Sequence, residues 1–145
     1  MRHPYDFTGI GNDFEQFCAD HVPCPRCSAS MDRLPPCKAV ADLQCTQCDT
    51  YVNAKSTTGA LNKTHPQSRK AIMSHFRLHG KRSLFFVIGS PEKYKIFQLG
   101  QRGVKELRSD RMRPYGKIQE RVYFRFQGKP IKEYPPTDKA TCAEA

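Results

Sequence analysis

The chain of 145 residues has no apolar run long enough to cross a bilayer, and Met1 to Phe14 lacks the basic-then-apolar pattern of a secretory signal. These absences point away from membrane and export and toward a cytoplasmic protein. No glycine-rich nucleotide loop is present, Gly100 to Gly103 being too short a match, and no Ser-His-Asp arrangement has supporting context, so no organic cofactor is expected. There is no internal repeat. Acidic residues are scarce in one part only. Residues 1–50 hold 4 Lys/Arg against 7 Asp/Glu, while residues 51–145 hold 20 against 7, which gives −3 and +13 and sums to the net +10. A basic segment of that size wants a polyanion, and nucleic acid is the leading partner.

What is there begins with cysteine. Seven cysteines is an odd count, which no complete set of disulfides satisfies, and a reducing compartment favours metal ligation. Two Cys-x2-Cys pairs, Cys24/Cys27 and Cys45/Cys48, lie 17 residues apart. Each pair sets two thiolates on a tight knuckle, and together they supply the four tetrahedral soft ligands of a closed structural Zn²⁺ site. Four buried free thiols or an iron–sulfur cluster are the competing readings, and Cys37, between the pairs, is an alternative ligand. Cys18 and Cys142 lack partners at metal spacing and read as ordinary thiols.

Along the chain, an irregular lead-in with Pro4, Gly9 and Gly11 precedes a helix from Phe14 to about His21, capped by Asp13. Ala39 to Gln44 reads as a strand, and Tyr51 to Lys55 as its return after the second Cys pair. Ser56 to His65 is polar. Pro66 suits the first turn of a helix that Gly80 ends. Ser83 to Ile88 is an apolar run of the buried-strand type, with Tyr94 to Leu99 as its partner, and Arg121 to Phe126 alternates as a further strand. The segment from Gln101 to Gln119 reads as partly helical around Val104 to Leu107. One domain over 1–134 is expected, with the zinc knuckle within 22–50 and a disordered tail over 135–145.

The residues flanking the second knuckle carry the chemistry. Asp42 precedes it by three residues, and Asn53 and Lys55 follow on the returning strand, on one face because strand side chains repeat every second residue. A carboxylate beside an amine is what a metal-dependent phosphodiesterase needs: oxygen ligands hold Mg²⁺, and the lysine orients the nucleophile or offsets developing charge. The order Cys-x2-Cys, Ala-Asp-Leu-Gln-Cys-Thr-Gln-Cys, Tyr-Val-Asn-Ala-Lys-Ser resembles the PD-(D/E)XK core of the Dam-replacing and DpnI-type restriction endonucleases, over about residues 14–57. The resemblance implies an α/β fold, a mixed central sheet flanked by helices with an inserted four-cysteine zinc knuckle. It also implies Mg²⁺-dependent hydrolysis of double-stranded DNA, with Asp42 as first acid and magnesium ligand, Lys55 as the lysine and Glu15 as a helix-borne helper. Asn53 stands where the family's second acid is expected; the Mrr-type branch carries Gln there.

Arg102, Lys105, Arg108, Arg111, Arg113 and Lys117 form a candidate phosphate-binding run, the first three at three-residue spacing on one face if that part is helical. His75 and His79 lie at i, i+4, but without the His-Glu-x-x-His context they read with His65 as polar surface or backbone-contacting residues. A zinc-ribbon nucleic-acid-binding protein without catalysis, or an inactive nuclease fold, is the alternative function.

Overall fold

The protein is seen in a computed structural model that describes residues 7–35, 40–109 and 120–136, the side chains of 7–12 excepted. In chain order the elements are α1 (Phe7–His21), β1 (Met31–Arg33), β2 (Leu43–Cys45), β3 (Tyr51–Ser56), β4 (Gln67–Ser68), α2 (Arg69–His79), a 3-10 turn (Lys81–Ser83), β5 (Leu84–Ser90), β6 (Lys93–Gln98), β7 (Val104–Arg108), β8 (Arg121–Phe126) and β9 (Lys132–Tyr134). A six-stranded mixed sheet has the order β1-β2-β3-β5-β6-β9, and a second sheet has the order β4-β8-β7. The α/β class and mixed sheet match the sequence expectation. The second sheet does not, since one sheet flanked by helices was expected.

Among the described residues only β3 and β5 pair in parallel, from Tyr51↔Leu84 to Ser56↔Gly89, so the chain between them must cross over the sheet, and α2 lies in that crossover. β5 explains the layering. Leu84, Phe86 and Ile88 enter one apolar cluster with Ile72 of α2 and Val122, Phe124 and Phe126 of β8. Phe85 and Val87 enter the other, with Phe14 and Cys18 of α1 and with Val22, Leu43, Val52 and Ile96. Both faces of β5 are therefore covered, which is why its sequence is continuously apolar rather than alternating. Each such side chain contributes about 1.5–3 kcal/mol on burial.

Several elements differ from the sequence expectation. α1 starts at Phe7, not Phe14. The helix therefore runs through Gly9 and Gly11, each at a cost of roughly 1 kcal/mol. α2 starts at Arg69 rather than Pro66 because Ser68 Oγ accepts the Ala71 amide at 3.3 Å as N-cap. β1 falls in what read as a loop, held by Met31↔Cys45 pairing at the knuckle.

The largest difference is residues 104–108, a strand and not a helix, paired from Val104↔Phe126 to Arg108↔Val122. Partnership with β8 overrides the local signal there. Residues 137–145 of the expected disordered tail lie outside the described residues.

The β5–β6 pairing depends on Gly89, at φ +146°, where a Cβ would sit 2.6 Å from Tyr94 Cα and closer still to Lys93 O. Gly89→Ala is expected to cost about 3 kcal/mol, combining backbone strain with overpacking. A urea midpoint unchanged from wild type would contradict that.

Candidate functional site

The cysteine pairs meet where α1 ends and the β2–β3 hairpin turns. Cys24 Sγ lies 3.6 Å from Cys48 Sγ, Cys27 Sγ lies 3.4 Å from Cys45 Sγ, and all four sulfurs fall within 4.8 Å of one another. Tetrahedral zinc with Zn–S bonds of about 2.3 Å needs sulfurs about 3.8 Å apart. The cluster therefore fits one structural zinc ion. Among the described residues it is the one group of three or more Cys, His, Asp or Glu whose ligand atoms converge.

The backbone prepares the thiolates. The Arg26 amide donates to Cys24 Sγ at 3.4 Å, the Gln47 and Cys48 amides each donate to Cys45 Sγ at 3.3 Å, and Thr50 Oγ1 sits 3.0 Å from Cys48 Sγ. Burial raises the Cys24 thiol, but the Cys27 and Arg26 amides with Thr50 and Cys48 outweigh it and bring the thiol down to about 6. Cys48, raised by burial and by its three sulfur neighbours against the opposing Thr50 contact, goes up to about 12. Thiols so close compete for protons, and a dication lets all four ionise together. Cys18 is different: burial, then Asp42 and Glu15, push it up to about 12, so it is an inert core thiol. Cys37 and Cys142 lie outside the described residues.

The hairpin beyond the zinc places the predicted catalytic residues. Leu43↔Val52 and Gln44↔Tyr51 set the register, and the Asp42 amide donates to Val52 O at 2.8 Å, so Asp42 comes level with the strand segment Val52–Ala54. Its Oδ2 accepts the Ala54 amide at 2.8 Å, finishing the ladder where β2 stops. Burial raises the Asp42 carboxyl to about 7; the Ala54 amide opposes this, the Glu15 charge adds to it and Arg33 opposes it. The structure thus brings Asp42 and Glu15 into one electrostatic neighbourhood, with Arg33 holding Glu15 at 3.3 Å.

Asn53 is buried and its Nδ2 donates to Val40 O, 2.6 Å away. Lys55 Nζ donates to Lys63 O at 2.9 Å, and burial together with the Lys63 charge lowers its pKa from the usual lysine value. Lys55 is therefore engaged with the chain leading to the small sheet, beside His65, whose pKa is lowered by burial and by Lys55. Asp42 answers to α1 and β1, Lys55 to residues 63–65.

His75 and His79 do share a helix face, with ring centroids 4.8 Å apart, yet their nitrogens serve different partners. His75 Nε2 sits 3.4 Å from Ser83 Oγ, and His79 Nδ1 lies 3.5 Å from Asp49 at the knuckle. Both rings pack on Tyr51, whose hydroxyl accepts from Gln44.

The predicted phosphate-binding run breaks up. Arg102 lies in the turn before β7, and within β7 Lys105 and Arg108 point to opposite faces, since strand side chains alternate. Arg108 is held by Glu120 at 3.1 Å, which also binds Arg69 at 3.2 Å. Arg111, Arg113 and Lys117 lie outside the described residues. Lys63 and Arg125, not singled out in the sequence, form an isolated β-bridge. The signal for Arg125 was its place in the alternating 121–126 segment, opposite the buried Val122, Phe124 and Phe126.

No protein-family model matches the chain, and no curated protein matches its sequence.

Proposed function

We propose that the chain is a zinc-braced, DNA-acting protein with a nuclease-like core of the restriction-endonuclease type, hydrolysing phosphodiester bonds of double-stranded DNA with Mg²⁺ or Mn²⁺. The observation that carries this reading is Asp42: a half-buried carboxylate with its pKa raised to about 7, fixed on the Ala54 amide between Asn53 and Lys55, with Glu15 in its field. A carboxylate held at such a cost to its charge is the kind of group that a cation would relieve. Asp42 would be the principal metal ligand, Glu15 a helper once released from Arg33, and Asn53 an auxiliary carbonyl ligand. Mg²⁺ there would polarise the phosphate and activate water. Lys55, whose pKa burial and the Lys63 charge lower, orients water or offsets charge on the leaving oxygen.

A second reading, a nucleic-acid binder that does not cut, is favoured by Asn53. Its Nδ2 is committed to Val40 O, and an amide brings no negative charge to a hard cation. One assay separates the two. Plasmid and methylated, unmethylated and single-stranded DNA are incubated with protein in Mg²⁺ or Mn²⁺, beside Asp42→Ala. The enzyme reading expects metal-dependent cutting that Asp42→Ala abolishes; cutting that survives the change, or none at all, removes it. Asn53→Glu adds a charge at the same place and is expected to raise metal affinity.

A further inference from the structure

The small sheet has an outer face that folding alone does not explain. Lys105 pairs directly with Arg125, and Lys63 bridges to Arg125 from the other side. Directly paired residues in antiparallel strands share a face, so three cations stand in a row across three chain segments. Like charges placed opposite one another destabilise a sheet by a few tenths to about 1 kcal/mol per pair. The row continues inward, because Lys55 Nζ is bonded to Lys63 O and feels the Lys63 charge. No carboxylate shares this face within β7 and β8: Glu106 pairs with Phe124 and so belongs to the other side. Two residues along from Lys105 and Arg125, the Leu107↔Tyr123 pair puts an aromatic ring and an apolar side chain on the same face. Neither is fully buried.

We infer that the outer face of the β4-β8-β7 sheet, with Lys63, Arg125 and Lys105 around Tyr123, binds a single strand of nucleic acid and leads it toward Lys55. Phosphates lie along the cation row, and an unpaired base stacks on Tyr123. Strands are about 4.8 Å apart, so the row from Lys63 to Lys105 covers roughly 10 Å, enough for two phosphates of an extended strand. Stacking is the reason for choosing a single strand: the ring face of Tyr123 offers an unpaired base a partner that a closed duplex cannot use. The repulsion within the row is what polyanion binding relieves.

The inference rests on the nucleic-acid reading above and adds a single-stranded segment beside the duplex proposed there, but its test reads binding and not cutting. Fluorescence anisotropy of the zinc-loaded full chain, in EDTA-free buffer without Mg²⁺, compares a labelled single-stranded DNA with a duplex of the same length. Lys105→Glu with Arg125→Glu is expected to weaken single-strand binding by about 10- to 100-fold and to lower the slope of log K against log salt by about 1.4, two contacts at about 0.7 each. Tyr123→Ala is expected to weaken single-strand binding by about 5- to 100-fold while leaving the duplex little changed. Lys105→Gln with Arg125→Gln, whose thermal midpoint should match wild type, covers the case in which charge reversal unfolds the sheet, and should lose about half the effect in log units.

Wild-type affinity in the glutamine pair overturns the inference, as does a duplex bound as tightly as the single strand with Tyr123→Ala indifferent. The two readings fail separately. Single-strand binding through this face without any cleavage removes the nuclease; metal-dependent cleavage by a protein whose single-strand affinity the sheet variants leave unchanged removes the inference.

Discussion

Removing the metal from the four-cysteine site is expected to unfold the α1 side of the protein. Cys24 and Cys45 are buried in the same apolar cluster as Phe14, Cys18, Val22, Leu43 and Val52, so the knuckle is part of the core and not an appendage. Structural zinc contributes about 10–16 kcal/mol in small zinc modules, as much as a whole domain's typical stability of about 5–15 kcal/mol. A tight chelator should therefore abolish the cooperative thermal transition of the native protein. By hydrogen exchange, α1, β2 and β3 lose protection first, since their packing depends on the knuckle. Cys45→Ser should do the same from the start, because Cys45 accepts two amide hydrogen bonds as well as ligating. Elemental analysis should return one zinc per chain. A metal-free protein with an unchanged midpoint would show that packing alone holds the hairpin.

The second large effect is a stability gain on removing a charge. The Asp42 carboxyl titrates near 3.8 when unfolded and at about 7 when folded. The folded chain therefore keeps a proton that the unfolded chain has lost between those values. The stability this group confers is complete below about pH 4 and is lost as pH rises through about 7. Above that, the ionised group costs about 2–4 kcal/mol, the lower end allowing for its partial exposure.

Asp42→Asn keeps an oxygen for the Ala54 amide and loses the charge. At pH 8 it should raise the thermal midpoint of the zinc-loaded protein, in buffer without Mg²⁺ or Mn²⁺, by about 5–10 °C, and at pH 4 by little. Mg²⁺ or Mn²⁺ should stabilise wild type at pH 8 and leave Asp42→Asn unmoved, if Asp42 is the cation ligand of the proposed function. Equal stability of the two proteins at pH 8 would mean that the carboxylate is better solvated than its burial indicates.

Much of the zinc site was legible because its information is local. Two Cys-x2-Cys pairs fix their own knuckle geometry, and the distances of 3.4 and 3.6 Å across the pairs realise the fit that spacing implied. The central strands were legible for a similar reason: β5 is buried on both faces, and β6 follows it after a short turn. The neighbourhood of Asp42 was half legible. That Asp42 and Asn53 would come level follows from a hairpin with a knuckle at its tip, but not that Lys55 would reach Lys63 O or that Arg33 would hold Glu15.

By itself the sequence determined the tetrathiolate, the buried strand pair and the positive charge of the second half. These depend on residue type and on spacing over a few residues. Tertiary structure alone decided three matters. It made 104–108 a strand, because pairing with β8 buries Phe124 and Phe126 against the main sheet, a gain that a helix there could not offer. It gathered Lys63, Lys105 and Arg125 from three distant segments into one row, which no local spacing encodes. And it set the pKa of Asp42, since the burial and the opposing charges of Glu15 and Arg33 that move a carboxyl from 3.8 to about 7 exist only once α1, β1 and the hairpin have packed together.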